Sequence, residues 1–234
     1  MDDNRIQLSI IIPALNEERS IGACVCAAMD AIGRFEGMAG EVIVADNGSM
    51  DQTGRIAQSM GARVVSVTKP GYGNALVCGL RAARGEYLVM ADADGSYDFK
   101  ETALFIEKFK SGYDVVIGNR FKGKIEKASM PLLHRYLGTP ILTWIANLLF
   151  KTGVGDINCG MRAITKRAFD MMCLEADGME CATEMVIKAA RLKLKVAEVP
   201  CSLRKDTRGR RPHLKTWKDG WRNLKLMIRS KKGA

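Results

Sequence analysis

The sequence predicts an α/β fold with a mostly parallel central sheet and helices on both faces. Two observations carry that expectation. Short apolar runs alternate with segments of helical periodicity through residues 8–118, and strands separated by helices call for parallel crossovers. Each apolar run also stops at a polar cluster, and in such a sheet those clusters fall together beyond the carboxyl ends of the strands, where ligands lie.

The elements follow in order. Leu8-Ser9-Ile10-Ile11-Ile12 is an apolar strand ended by Pro13 and the polar turn Asn16-Glu17-Glu18. Ser20 is placed to cap a helix to about residue 32, with Ile21, Val25, Ala28 and Met29 on one face. Residues 41–45 form a second strand running into Asp46-Asn47-Gly48-Ser49-Met50-Asp51, and residues 53–60 a helix. A third strand, 63–67, leads into Lys69-Pro70-Gly71-Tyr72-Gly73-Asn74, with a helix expected over 75–83. The run 87–91 is a buried strand that stops at Asp92-Ala93-Asp94-Gly95; a helix over 102–110 and a strand over 115–118, followed by Asn119-Arg120, complete the series.

Asp92 and Asp94 are the sharpest feature. Side chains two apart at a strand end point the same way, and two facing carboxylates raise each other's pKa. A hard divalent cation such as Mg²⁺ or Mn²⁺ removes that repulsion and can grip a diphosphate. The alternative is that one aspartate caps the next helix while the other is solvated. Polar clusters at the ends of five strands (Asn16/Glu17, Asp46/Asn47/Asp51, Lys69/Gly71, Asp92/Asp94 and Asn119/Arg120) favour a site on one edge.

Beyond Arg120 the pattern changes. Residues 122–129 are polar. Residues 130–150 are apolar and interrupted by Pro131 and Pro140, which suits either an interfacial helix pair or a core hairpin. A glycine-punctuated loop, 155–162, precedes a short strand at Ala163-Ile164; helices near 167–172 and 182–190 and a strand over 194–199 follow. From Arg204 onward there are 12 Lys/Arg against 2 Asp/Glu, whereas the remainder holds 24 of each, so the net charge of +10 resides in the tail. A basic segment seeks a polyanion. Leu214, Trp217, Trp221, Leu224 and Ile228 share one helical face there, flanked by Lys and Arg, as in a membrane-surface helix. Docking of that face onto the core is the alternative. Nucleic acid is not an expected partner, because the rest of the chain shows no basic excess.

Several classes are set aside. No stretch of about 18 uncharged apolar residues is present, the start has no secretory apolar core, and the seven cysteines form neither CxxC nor a Cys/His cluster. A cytoplasmic protein with reduced core cysteines is the expectation.

The ordered set Ile12-Pro13-Ala14-Leu15-Asn16-Glu17-Glu18, residues 44–53, Gly71-Tyr72-Gly73-Asn74-Ala75, Ala91-Asp92-Ala93-Asp94, Gly118-Asn119-Arg120, residues 156–162 and Glu198-Val199-Pro200 resembles the family 2 glycosyltransferases of GT-A fold. Within that family it is most similar to the dolichyl-phosphate mannosyltransferase-like (polyprenyl-phosphate glycosyltransferase) branch. The resemblance implies an inverting, metal-dependent transfer from a nucleotide sugar (GDP-mannose or a UDP-sugar) to a polyprenyl or dolichyl phosphate. The enzyme would be peripheral at the cytoplasmic membrane face, with a membrane-anchored partner subunit or a homo-oligomer as its assembly. A non-lipid acceptor, or a non-catalytic nucleotide-sugar-binding role, are the alternatives.

It further implies that Pro13, Leu15, Asn16, Glu17, Asp46, Asn47, Lys69, Gly71, Asn74, Ala93, Arg204 and Arg208 contact the donor. Asp92 and Asp94 would hold Mg²⁺ or Mn²⁺. Arg120, Cys159, Gly160 and Arg162 would meet the acceptor phosphate, with Arg120 and Arg162 joining the two aspartates as the catalytic set. The implied glycosyltransferase domain spans 1–212, with a donor half over about 7–120 and an acceptor half over about 121–212, before a basic tail at 213–234. An anionic acceptor needs no strong base. That agrees with His134 and His213 lying away from these clusters, and with Glu180 and Glu184 reading as structural acids.

Overall fold

The computed structural model describes residues 5–209 and 216–232. Seven strands form one sheet: β1 (Leu8–Ala14), β2 (Gly40–Asp46), β3 (Arg63–Ser66), β4 (Tyr87–Met90), β5 (Val115–Asn119), β6 (Arg162–Thr165) and β7 (Val196–Pro200), in the order β3-β2-β1-β4-β6-β5-β7. All neighbours are parallel except β6, which runs antiparallel between β4 and β5. The expected fold class holds.

The central strands are apolar at nearly every position because both faces are covered; all seven residues of β1 are buried. The helices α1 (Ile21–Gly33), α2 (Thr53–Ser59), α3 (Tyr72–Ala82) and α4 (Thr102–Lys110) follow β1 to β4 in turn. The chain leaves β1 for β2 on one side and returns to β4 on the other, so the strand order reverses between β1 and β4. A crevice opens at the carboxyl ends of strands at such a reversal. Asn16/Glu17 and Asp92/Asp94 lie at its two lips.

Three expectations are corrected. The helix expected over 75–83 begins at Tyr72, because Asp177 O accepts the N–H groups of Gly73 and Asn74 and so satisfies its first turn. Residues 132–150 form one unbroken helical run instead of a pair: a wide turn at His134–Gly138 passes into α5 (Thr139–Phe150). Pro140 lies inside that run directly after the wide turn, and having no N–H it makes no bond back to the preceding turn. The tail helix α8 (Thr216–Lys232) packs on α5 and on α7 (Cys181–Arg191) through Asp219, Asn223 and Met227, spaced four apart. Thr183 Oγ1 and Asn223 Oδ1 are hydrogen-bonded there, and Asn223 Nδ2 donates to Asp219 O at 2.8 Å. So α8 docks by a stripe that is polar at Asp219 and Asn223 and apolar at Met227, while Trp221 on its expected apolar face stays 64% exposed. His213 and Leu214 lie outside the described residues, as does the side chain of Trp217. Between β6 and α7, the helix α6 (Lys166–Met172) completes the fold. Among the described residues, no helix is long and apolar enough to cross a membrane.

Candidate active site

The turns after β1 and β2 are clasped together. Asn16 N donates to Ser49 Oγ at 2.9 Å, Met50 N to Asn16 Oδ1 at 2.8 Å, and Glu17 N to Thr53 Oγ1 at 2.7 Å. Asn16 adopts φ 54°, a left-handed conformation that asparagine tolerates better than most residues. Its side chain is therefore the clasp. Asp46 closes its own turn by accepting from Ser49 N at 2.9 Å, and Asn47 Oδ1 accepts from Gly71 N at 3.0 Å, tying the third polar cluster to the second. Pro13 is buried within β1, and Leu15 is half-buried at its exit. A cleft of about 290 Å³ opens here, lined by Asn16, Glu17, Glu18, Arg19, Asp51, Arg208 and Gly209.

Across the crevice, Asp92 Oδ1 accepts from Tyr72 Oη at 2.8 Å. Burial, the Asp92 charge and this bond hold the Tyr72 phenol well above its ordinary pKa, so it donates. Burial and the adjacent Asp94 push Asp92 up to about 6, in agreement with the repulsion expected of the pair. Gly160 lies directly against Asp92. A Cβ there would stand 2.4 Å from Asp92 Oδ2, and Gly160 N donates to Tyr97 Oη at 2.8 Å. Asp94 Oδ1 accepts from Ser96 N at 2.9 Å, while Asp98, not Asp92 or Asp94, caps the next helical turn by accepting from Lys100 N.

The strap 204–208 lies along this turn. Arg204 N donates to Ser96 O at 2.8 Å, and Thr207 N to Asp94 O at 2.9 Å. Gly95 has φ 75° and passes so near Thr207 that a Cβ would stand 2.8 Å from its Oγ1. Arg204 pairs with Asp98, and Arg208 Nη2 reaches Asp94 Oδ2 at 3.1 Å. Burial works against the Arg208 charge, but Asp94 and Glu17 outweigh it and raise its pKa. Ala93 is buried, with its carbonyl accepting from Cys24 Sγ.

Lys69 pairs with Asp177 at 2.9 Å, and Asn74 Nδ2 donates to Pro70 O at 3.0 Å. Both belong to the seam between the start of α3 and the 176–178 segment. Glu184 builds that segment by accepting from Glu175 N and Ala176 N, which bears out its reading as a structural acid; Glu180 pairs with Arg222 at 2.8 Å.

The residues expected to meet an acceptor phosphate divide. Arg120 forms a two-pronged pair with Asp156, Nε to Oδ2 at 2.7 Å and Nη2 to Oδ1 at 2.8 Å, yet keeps 11% of its side chain exposed. Glu198 fastens the loops around it, accepting from Gly155 N at 2.6 Å and Asn119 Nδ2 at 3.0 Å. Arg162 corrects the expectation placed on it. It is 1% exposed and its guanidinium donates to Cys159 O, Ile157 O and Ala182 O. Arg162 is a clamp behind the loop, still close enough for its charge to favour ionised Asp92. Cys159 is fully buried and presents no side chain to a ligand. His134, expected to stand apart, is near enough to Arg120 that this charge, after burial, lowers its pKa. Tyr72 and Tyr97 went unrecognised among the site residues; the glycines flanking Tyr72 were the available signal, and Tyr97 offered none.

Among the described residues, no three His, Cys, Asp or Glu side chains converge as a self-sufficient metal cage. Two carboxylates with an electrostatic penalty between them, already neutralised in part by a guanidinium, nevertheless fit a divalent cation, which would have to take its remaining ligands from outside the protein. A larger hollow of about 400 Å³, walled by residues including Asp177, Glu180, Arg222 and Arg229, contains neither aspartate of the pair.

Known proteins resemble this chain in sequence and in fold. Residues 9–172 match Glycosyl transferase family 2. The low-salt glycan biosynthesis hexosyltransferase Agl6 of Haloferax volcanii is 36% identical over 94% of this chain and 53% of its own length, so the chain spans about half of that relative. A dolichyl-phosphate hexose transferase of the same organism is 34% identical over 84% of this chain and 82% of its own length. Glucosyl-3-phosphoglycerate synthase from Mycobacterium tuberculosis, crystallised with Mn²⁺, UDP and glucosyl-3-phosphoglycerate, has a TM-score of 0.73 and 25% identity over 97% of this chain and 80% of its own. With the sheet reversal, the aspartate pair and these matches together, the chain belongs to glycosyl transferase family 2 and has the GT-A fold.

Proposed function

We propose that this protein transfers a hexose, with inversion, from a nucleotide sugar to a polyprenyl or dolichyl phosphate at the cytoplasmic face of a membrane. The observation that carries the acceptor is an exposed apolar row. Leu133, Leu137, Ile141, Trp144 and Leu148 follow helical spacing, Trp144 and Leu148 are 63% and 64% exposed, and the row starts beside His134, within electrostatic reach of Arg120. An apolar surface leading to a guanidinium suits an isoprenoid chain that ends in a phosphate. The dolichyl-phosphate hexose transferase relative supports the same reading.

In this reading Glu17, Asp46 and the clasped turns hold the nucleoside, ionised carboxylates accepting from ribose hydroxyls and base N–H groups. Asp92 and Asp94 would hold Mg²⁺ or Mn²⁺, which when bound neutralises charge on the departing nucleoside diphosphate. Tyr72 and Gly160 fix the orientation of Asp92, and Arg204 and Arg208 supply donors to the diphosphate. Arg120, held by Asp156, meets the acceptor phosphate, which is already anionic and needs no base.

Incubation with radiolabelled GDP- or UDP-hexose, Mn²⁺ and dolichyl phosphate tests the proposal; label in the organic phase is the expected result. A second reading, a small phosphorylated acceptor, is favoured by the likeness to glucosyl-3-phosphoglycerate synthase. Label confined to a water-soluble glycoside of 3-phosphoglycerate selects it. No transfer from any common donor to either acceptor refutes both.

A further inference from the structure

Two arginines near the crevice are held in different ways. Arg120 makes a two-pronged pair with one fully buried carboxylate, at 2.7 and 2.8 Å. Arg208 instead spreads single, longer contacts over three: Asp94 Oδ2 at 3.1 Å, Asp206 Oδ2 at 3.2 Å and Glu17 Oε1 at 3.5 Å. Its Nε is buried without a hydrogen-bond partner, although the side chain is only 11% exposed. A buried donor left unmade is unfavourable, and a guanidinium prefers parallel two-pronged bonds to one acceptor group. The backbone of the same strap needs no such compromise, because Thr207 N and Oγ1 both donate to Asp94 O, at 2.9 and 3.1 Å. The strap is fastened and its guanidinium is loosely lodged.

We propose that Arg208 is an exchangeable counter-ion: it neutralises Glu17 and Asp94 while no divalent cation is bound, and turns onto the diphosphate when cation and donor arrive together. The inference rests on the donor reading above. Only the side chain moves, since the strap backbone stays bonded to Asp94 and Ser96. A cation arriving alone has to displace the guanidinium from Asp94 and leave it with only Asp206 at 3.2 Å, the long contact to Glu17 at 3.5 Å and an Nε still unpartnered. A cation arriving with a nucleoside diphosphate brings the acceptor with it, one that offers Nε the partner it lacks. The two ligands are therefore coupled through Arg208, beyond any direct contact between them.

The test is Mn²⁺ binding by electron paramagnetic resonance on the full chain, with and without saturating UDP or GDP, comparing wild type, Arg208→Met and Arg208→Lys. Without nucleotide, Arg208→Met is expected to bind Mn²⁺ roughly tenfold tighter than wild type, and the nucleotide-induced gain in Mn²⁺ affinity is expected to shrink by about tenfold. Arg208→Lys, which keeps the charge but reaches less far, is expected to fall between, and it carries the comparison if Arg208→Met does not fold. A residue that merely binds diphosphate would leave nucleotide-free Mn²⁺ affinity unchanged, and that result in a folded variant overturns the exchange. Wild type that binds Mn²⁺ and UDP while the variants match it refutes this inference alone. Wild type that binds neither Mn²⁺ nor any nucleotide refutes the donor reading, and the exchange with it.

Discussion

The proposed donor edge and the proposed acceptor side both carry charged motif residues and use them differently. At the proposed donor edge the turns are held chiefly by backbone N–H groups on neutral acceptors: Asn16 N on Ser49 Oγ, Met50 N on Asn16 Oδ1, Glu17 N on Thr53 Oγ1 and Thr207 N on Asp94 O, so the carboxylates of Glu17, Asp92 and Asp94 carry little of that fastening. On the acceptor side the charged side chains are themselves the fasteners. Arg162 is consumed by three carbonyls, Asp156 by Arg120, and Glu198 by Asn119, Lys122 and two backbone N–H groups. A charged residue in a motif thus has two quite different meanings, and burial together with the identity of its partners separates them.

Two substitutions break this comparison if it is mistaken. Asp94→Asn removes one of the two carboxylates left for a cation, and transfer is expected to fall by about a thousandfold, several kcal/mol of transition-state stabilisation, with the melting temperature preserved. Arg162→Met is expected to do the opposite. With the carbonyls of Cys159, Ile157 and Ala182 stripped of their donor, stability should drop by about 3 kcal/mol in urea unfolding. A stable Arg162→Met protein with a raised acceptor KM would return Arg162 to the acceptor site.

A third substitution sharpens the electrostatics. Asp92 has its pKa raised from 3.8 to about 6 by burial and by Asp94. Its ionisation is therefore penalised in the folded state: the penalty is absent below pH 4, grows between pH 4 and 6, and is full above pH 6. Without metal, Asp92→Asn should be about as stable as wild type at pH 3.5 and more stable at pH 8, by up to about 3 kcal/mol. Saturating Mn²⁺ with UDP should cancel the advantage by stabilising wild type alone. An advantage independent of pH would show that Asp92 is not strained.

The difference between the regions also explains what the sequence revealed. Strand ends and their polar clusters were legible because the apolar runs are continuous and stop abruptly, and because a parallel sheet gathers such ends on one edge. The spacing of Asp92 and Asp94 left a metal pair and a helix cap open, and only the polar clusters at the other strand ends favoured the pair. Arg162 could not be placed, because nothing in the sequence distinguishes an arginine facing a ligand from one folded back on the carbonyls of its own loop and of Ala182 on α7, 20 residues away. Tyr72 escaped for the same reason: its bond to Asp92 spans 20 residues. The tail misled in another way. Its apolar positions marked one face, but the face that docks is chosen by Thr183 on α7, which presents a hydroxyl to Asn223.

That outcome leaves the smallest and most telling prediction on the acceptor side. With α8 docked through Asp219, Asn223 and Met227, its Trp221 and Ile228 remain exposed, as do Trp144 and Leu148 on α5, against which α8 packs. If this surface meets a bilayer, the two tryptophans settle at headgroup level and the basic residues Lys225 and Arg229 meet anionic lipid. Trp144→Ala and Trp221→Ala should each weaken flotation with phosphatidylglycerol vesicles by about fivefold, the effect of losing roughly 1 kcal/mol of apolar burial, and the double variant by about their product if the sites act independently. Neither residue touches the aspartate pair, but Trp144 stands in the row assigned to the isoprenoid chain and Trp221 does not, so transfer to a short, water-soluble polyprenyl phosphate should be unchanged in Trp221→Ala and should show a raised acceptor KM in Trp144→Ala. Loss of soluble activity in Trp221→Ala would place that tryptophan in the acceptor site as well. Unaltered flotation would leave the apolar row to a protein partner, and the contrast between a self-contained donor edge and a membrane-dependent acceptor side would fall.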